Sequence, residues 1–166
     1  MNKSFKQGLL AVAALLAVSG SAFAGSATAN FQVSATVAAS CLVSATNVAF
    51  GTITPAATGT ATATGTITST CTKTTPYNLE ISAGNSNSVA ARTMAGATGG
   101  NTNTLAYNVY TSNTYATPWG VTVGTNTVAL TGTGVAQTST VYGQLSLNQY
   151  LTPDNYSDSL TVTLAY

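Results

Sequence analysis

The chain has 166 residues, enough for one ordinary domain, with four basic residues against three acidic ones and no histidine. So little positive charge cannot neutralise a phosphate backbone or form a basic membrane-surface patch, which excludes nucleic-acid binding and peripheral membrane docking. The lack of histidine also removes a serine–histidine triad and the usual histidine acid–base chemistry.

Lys3 and Lys6 precede a short apolar run at residues 9–18, and Ser21-Ala22-Phe23-Ala24 supplies the small residues that a signal peptidase reads. The run falls short of the about 20 residues needed to span a bilayer, so it predicts a cleaved signal peptide over residues 1–24 and no membrane insertion afterwards. The mature chain then begins at Gly25 and keeps Lys73 and Arg92 against Glu80, Asp154 and Asp158. Low charge with abundant Thr, Ser, Asn and Ala is not the composition of a disordered chain, which combines low hydrophobicity with high net charge. It means a surface of hydroxyl and amide groups, suited to packing against copies of the same molecule.

Over residues 30–41, Phe31, Val33, Ala35 and Val37 alternate with Gln32, Ser34 and Thr36, a two-residue period that predicts a strand with one apolar face. Taken alone, such a strand pairs within its own chain. Cys41 and Cys71 are the only cysteines, and an exported chain favours joining them. Two free buried thiols or a metal site are the alternatives, and two thiolates without histidine leave zinc under-coordinated. Closing the loop would restrict the unfolded chain by about 3.7 kcal/mol in the loop-entropy picture.

Further strands are predicted at 48–53, at 61–71 within a low-complexity Ala-Thr-Gly run, and at Tyr77, Leu79 and Ile81 before Ala83-Gly84. Residues 85–88 and 96–104 read as loops from their Gly, Asn and Ser content. Leu105, Tyr107, Val109 and Tyr115 frame another strand, and Pro118-Trp119-Gly120 turns the chain. Strands at 128–130, 141–147 and 160–166 follow, the last with Leu160, Val162, Leu164 and Tyr166 on one face. No helix follows the signal peptide. Many short strands between turn signals predict an all-β, immunoglobulin-like antiparallel sandwich, and six or seven strands from Val48 onward come close to the about seven that such a fold uses. The strand pattern runs to Tyr166 and leaves no tail to add another.

Candidate chemistry is sparse. Asp154 and Asp158 could imitate a glycosidase carboxylate pair, but Thr152-Pro153-Asp154-Asn155-Tyr156-Ser157-Asp158 reads as a turn entering the last strand. Gly132-Thr133-Gly134 has no following helix and is no phosphate loop. Tyr107, Tyr110 and Trp119 read as core or sheet-face aromatics ahead of a sugar-binding platform. No catalytic residue, metal site or cofactor is expected.

Taken in order, Cys41, Phe50-Gly51, Cys71, Tyr77-x-Leu79-x-Ile81-x-Ala83-Gly84, Arg92-x-Met94, Leu105-x-Tyr107-Asn108-x-Tyr110, Trp119-Gly120, Tyr142-Gly143-x-Leu145 and Tyr156-x-Asp158-x-Leu160-x-Val162-x-Leu164-x-Tyr166 form a recognisable series. It resembles the spore coat protein U family, which includes pilins of the archaic (Csu-type) chaperone–usher pathway. The resemblance covers residue 33 to the C-terminus, and the run at residues 55–66 departs from it.

That resemblance implies a sandwich lacking its final strand and completed by donor-strand exchange. Residues 25–38 would be the donor segment and residues 39–166 the pilin domain. Phe31, Val33, Ala35 and Val37 would enter the neighbouring subunit's groove at about 6.6 Å spacing, and a one-residue slip would bury Gln32, Ser34 and Thr36 instead. Leu160, Val162, Leu164 and Tyr166 would line one wall of that groove. Burying Phe31, Val33 and Val37 would contribute roughly 5–8 kcal/mol before ordering costs. The implied partners are identical or homologous subunits, a periplasmic chaperone and an outer-membrane usher. The implied route runs through the periplasm to a surface pilus that supports adhesion and biofilm formation. The competing functions are a non-polymerising secreted coat or matrix protein and a glycan-binding minor or tip subunit.

Overall fold

The structure, a computed structural model, describes residues 24–166, so the expected signal peptide lies outside the described residues except for Ala24. The chain divides into two units, Met1–Thr36 and Val37–Tyr166. In the first, residues 24–36 form no strand or helix and their side chains are exposed, Phe31 by 87% and Val33 by 84%. The alternation over residues 30–40 is assigned no strand, and the first ladder starts at Cys41.

Nine strands build the second unit: β1 (Cys41–Ala45), β2 (Thr60–Cys71), β3 (Pro76–Ile81), β4 (Arg92–Gly96), β5 (Thr104–Tyr110), β6 (Val128–Thr131), β7 (Gln137–Ser146), β8 (Tyr156–Ser157) and β9 (Val162–Ala165). The only helical segment among the described residues is a 3-10 turn at Gly84–Ser86. Every pairing is antiparallel. One sheet runs β1-β2-β7-β5-β4-β8 and the other β6-β3-β9, giving an all-β, immunoglobulin-like sandwich.

Local sequence explains the long strands. In β2 the odd positions Gly65, Ile67, Ser69 and Cys71 are buried, while β-branched threonines, which suit a pleated backbone, occupy the even ones. β3 opens on Pro76, a position where a missing N–H is tolerated, and buries Tyr77, Leu79 and Ile81 on its inner face. Those three meet Ile67, Val109 and Val141 from the large sheet, with Trp119 filling the space between. The polar atoms carried into this core are paired. The Trp119 ring N–H donates to the Leu79 carbonyl at 2.9 Å, and Ser69 Oγ and the Tyr77 hydroxyl share a bond of 2.8 Å.

The fully buried Arg92 ties the sheets together. Its Nε and Nη2 donate to the Ser82 carbonyl at 3.0 and 2.7 Å, Nη2 also to the Trp119 carbonyl at 2.6 Å, and Nη1 to Asn108 Oδ1 at 2.6 Å. Burial pushes its pKa down, and the surrounding carbonyls take the place of a carboxylate partner.

Cys41 and Cys71 are bonded to each other, with their Cα atoms 4.1 Å apart at directly opposed positions of β1 and β2. The strand reading is corrected at four places. Residues 48–53 form no strand, because Gly51 takes a left-handed φ of 70° and the apolar residues there pack across a sheet instead of along its edge. β4 was not expected, since its inner-facing Arg92 hides the apolar alternation that marks a strand. Tyr115 lies outside β5 in a turn at φ 53°, and β9 is shorter than the predicted 160–166.

Candidate functional site

β1 is one edge of the large sheet and β9 one edge of the small sheet, and the two lie beside each other without a hydrogen-bonded ladder between them. Among the described residues β9 pairs only with β3. The chain leaves β1 after Thr46, whose N–H still donates to the Thr66 carbonyl at 2.9 Å. Between residues 45–50 on one side and residues 156–162 on the other opens a groove of about 540 Å³. Its floor holds Ile67 and Val141 of the large sheet and Ile81 of the small one. A second hollow of about 560 Å³ shares Val48, Phe50, Met94 and Tyr156 with the first and extends the trench toward Leu105 and Leu151.

Two glycines shape the wall at residues 46–50. A Cβ on Gly65 would lie 2.8 Å from Val48 Cγ2, and one on Gly143 would lie 2.6 Å from Val48 Cγ1 and 2.9 Å from Phe50 Cζ. The missing side chains are the hollows in which Val48 and Phe50 sit, and Phe50 meets the Tyr107 ring edge-on at 6.4 Å. One polar point interrupts the trench. The Tyr107 hydroxyl donates to Asp158 Oδ2 at 2.7 Å, and Asp158 Oδ1 accepts from the Asn85 N–H at 3.0 Å. Burial first, then the bond to Asp158, pushes the Tyr107 hydroxyl well above its ordinary pKa.

Of the residues expected in the wall, Leu160 and Val162 line the groove. Leu164 stands opposite Leu79 and packs half-buried against the core, while Tyr166 lies beyond β9 and is 63% exposed. Val48, Phe50, Met94 and Tyr107 were not expected in this site. Asp154 and Asp158 take separate partners. Asp154 accepts from Asn101 Nδ2 at 2.7 Å and from the Thr98 N–H at 2.9 Å, bonds that hold its carboxyl at about 2. A depressed carboxylate stabilises the fold above its unfolded value, and that stabilisation fades as pH falls through the folded one. The Thr98 amide is therefore expected to lose hydrogen-exchange protection as pH drops from about 4 toward 2, read by NMR, while the Trp119 ring N–H keeps its protection.

Among the described residues no group of three or more His, Cys, Asp and Glu side chains could hold a metal ion. The trench is instead a channel with an apolar floor and a mixed rim that carries the Asp158 carboxylate, and a channel between two sheet edges is a shape that takes up an extended chain by adding a strand.

The model of the Spore Coat Protein U domain matches residues 27–163. The chain belongs to this family. No curated protein matches it. Among solved structures, this spore coat protein U domain is similar to a chain in the crystal structure of the CsuC–CsuE chaperone–tip adhesion subunit pre-assembly complex from archaic chaperone–usher Csu pili of Acinetobacter baumannii. The TM-score is 0.59 at 19% identity, and the match covers 79% of the spore coat protein U chain but only 41% of the other. At that identity the likeness concerns the fold of the domain.

Proposed function

We propose that the chain is a structural subunit of a secreted chaperone–usher pilus and not an enzyme. Each subunit receives the N-terminal strand of its neighbour in the trench beside β9. The observation that carries this reading is the open groove with an apolar floor between residues 45–50 and β9, two sheet edges lying side by side with no strand between them among the described residues. The exposed Phe31, Val33 and Val37 support it from the donor side, because apolar side chains at two-residue spacing gain stability only on joining a sheet. Family membership and the fold shared with a chain of a chaperone–subunit complex support it from outside the molecule.

On this reading Phe31, Val33, Ala35 and Val37 enter the groove while Leu160 and Val162 form its wall. Val48 and Phe50 face them across the channel. A periplasmic chaperone shields the groove before an outer-membrane usher passes subunits to the surface, where the fibre serves adhesion and biofilm formation. The decisive experiment expresses the mature chain without residues 25–37, with and without the chaperone encoded nearest to it. The expected result is a truncated protein that is soluble only with the chaperone, and a full-length form that builds heat-resistant multimers. A truncated chain that folds alone as a soluble monomer, beside a full-length form that never multimerises, would establish a self-complete secreted coat or matrix protein instead.

A further inference from the structure

The Ala-Thr-Gly run that fits no part of the family resemblance acquires a place in the fold. Along β2 the two-residue period puts Thr60, Thr62 and Thr64 on the outer face of the six-stranded sheet, all exposed, while the alternate positions turn toward the core. The ladder sets Ser146, Gln144 and Tyr142 of β7 directly beside them, and Tyr110 of β5 beside Tyr142. Tyr115, in its left-handed turn, meets the Tyr110 ring at right angles with centroids 5.5 Å apart, which fixes that ring's orientation. A hollow of about 390 Å³ lies on this face, with Thr60, Gln144, Ser146, Ala106, Asn108 and Tyr110 along its lining. Arg92 reaches the same hollow, but its donors are turned inward to carbonyls and Asn108.

We propose that this outer face, centred on Tyr110 and Tyr142 beside the Thr60–Thr64 row, binds a neutral polysaccharide chain. The chemistry is complementary at each level. A pyranose ring offers apolar C–H faces that pack on aromatic rings, and its hydroxyls need the hydroxyl and amide groups that Thr, Ser and Gln present. The exposed residues of this face carry no charge, so an anionic polymer or nucleic acid finds no counter-ion here. A second copy of the chain fits less well, since the buried centre of a protein–protein interface is apolar and poor in serine. At about 40 Å in length, β2 gives room for several sugar units. The proposal stands apart from the groove, which opens between the sheets on the opposite side of β2 and β7.

The test is affinity electrophoresis of the full chain through native gels containing hydroxyethylcellulose or dextran, with alginate as the anionic comparison. Retardation by a neutral polymer is expected. The Tyr110→Ala/Tyr142→Ala double variant should weaken it by about tenfold or more. Tyr150→Ala, at a ring that is 71% exposed elsewhere, should leave it unchanged. The Thr62→Lys/Thr64→Lys double variant alters only exposed positions and should abolish retardation without lowering the melting temperature, which keeps the test decisive if the tyrosine variant folds poorly. The proposal is overturned if neither neutral polymer retards the chain, if alginate retards it more strongly, or if the lysine variant binds as the unmodified protein does. It is equally overturned if light scattering shows the lysine variant splitting a dimer held by this face.

Discussion

Phe31→Asp is expected to leave no heat-resistant multimers when the chain is produced with its chaperone and usher. On the proposed assembly, Phe31 enters a channel whose apolar floor is Ile67, Ile81 and Val141. Losing the aromatic ring removes up to about 3 kcal/mol of burial, and a carboxylate in its place adds a desolvation cost of several kcal/mol. At 1.4 kcal/mol per decade, the sum weakens strand insertion by about four to five orders of magnitude. The acceptor body should be unaffected, because Phe31 is 87% exposed in its own chain. Gln32→Asp is the matched control: one position along the strand, its side chain points away from the groove, and multimers should form normally. Multimers of normal yield from Phe31→Asp would sink the proposed donor register, and their loss in both variants would point to a general charge effect.

Arg92→Met is expected to produce the largest loss of stability in the fold itself. The guanidinium bonds to Ser82, Trp119, Ile81, Val89 and Asn108, and these acceptors have few other donors in the buried space between the sheets. Each unpaired buried acceptor costs about 1–3 kcal/mol, and the packed methionine returns only part of the lost volume, so a net loss of about 3–5 kcal/mol follows. That is a large share of the about 5–15 kcal/mol that holds a domain together. Arg92→Lys keeps the charge but loses the planar fork that reaches several carbonyls at once, so it should fall between the two. Urea denaturation followed by Trp119 fluorescence measures both. A midpoint for Arg92→Met close to that of the unmodified chain would show that the carbonyls find other donors.

How far the fold was legible depends on what each strand buries. β2, β3 and β7 could be read because Ile67, Leu79, Val141 and their alternating neighbours turn one apolar face inward. β4 could not, because its buried residue is an arginine whose partners come from three distant segments. Residues 48–53 misled in the opposite sense: their apolar residues are real contacts, but Val48 and Phe50 seat against Gly65 and Gly143 on other strands, so their spacing was not a strand period. The groove divides the same way. Leu160 and Val162 were visible in the terminal alternation, whereas Met94 and Tyr107 reach the groove only through pairing of segments far apart in sequence. Tyr166 continued the pattern on paper, yet β9 ends at Ala165 before reaching it.

The cystine has a mechanical consequence. A tensile load entering through the residues before Ser40 meets the Cys41–Cys71 bridge at the first rung of β1. Without the covalent crosslink, such a pull would open β1 from its end one hydrogen bond at a time, the weakest way to load a ladder. With it, the force passes straight into β2, which is bonded to β7 over ten register pairs and must be sheared along its whole length before it yields. The sulfur bridge thus converts an unzipping geometry into a shearing one, and places the longest ladder of the sheet in the line of pull.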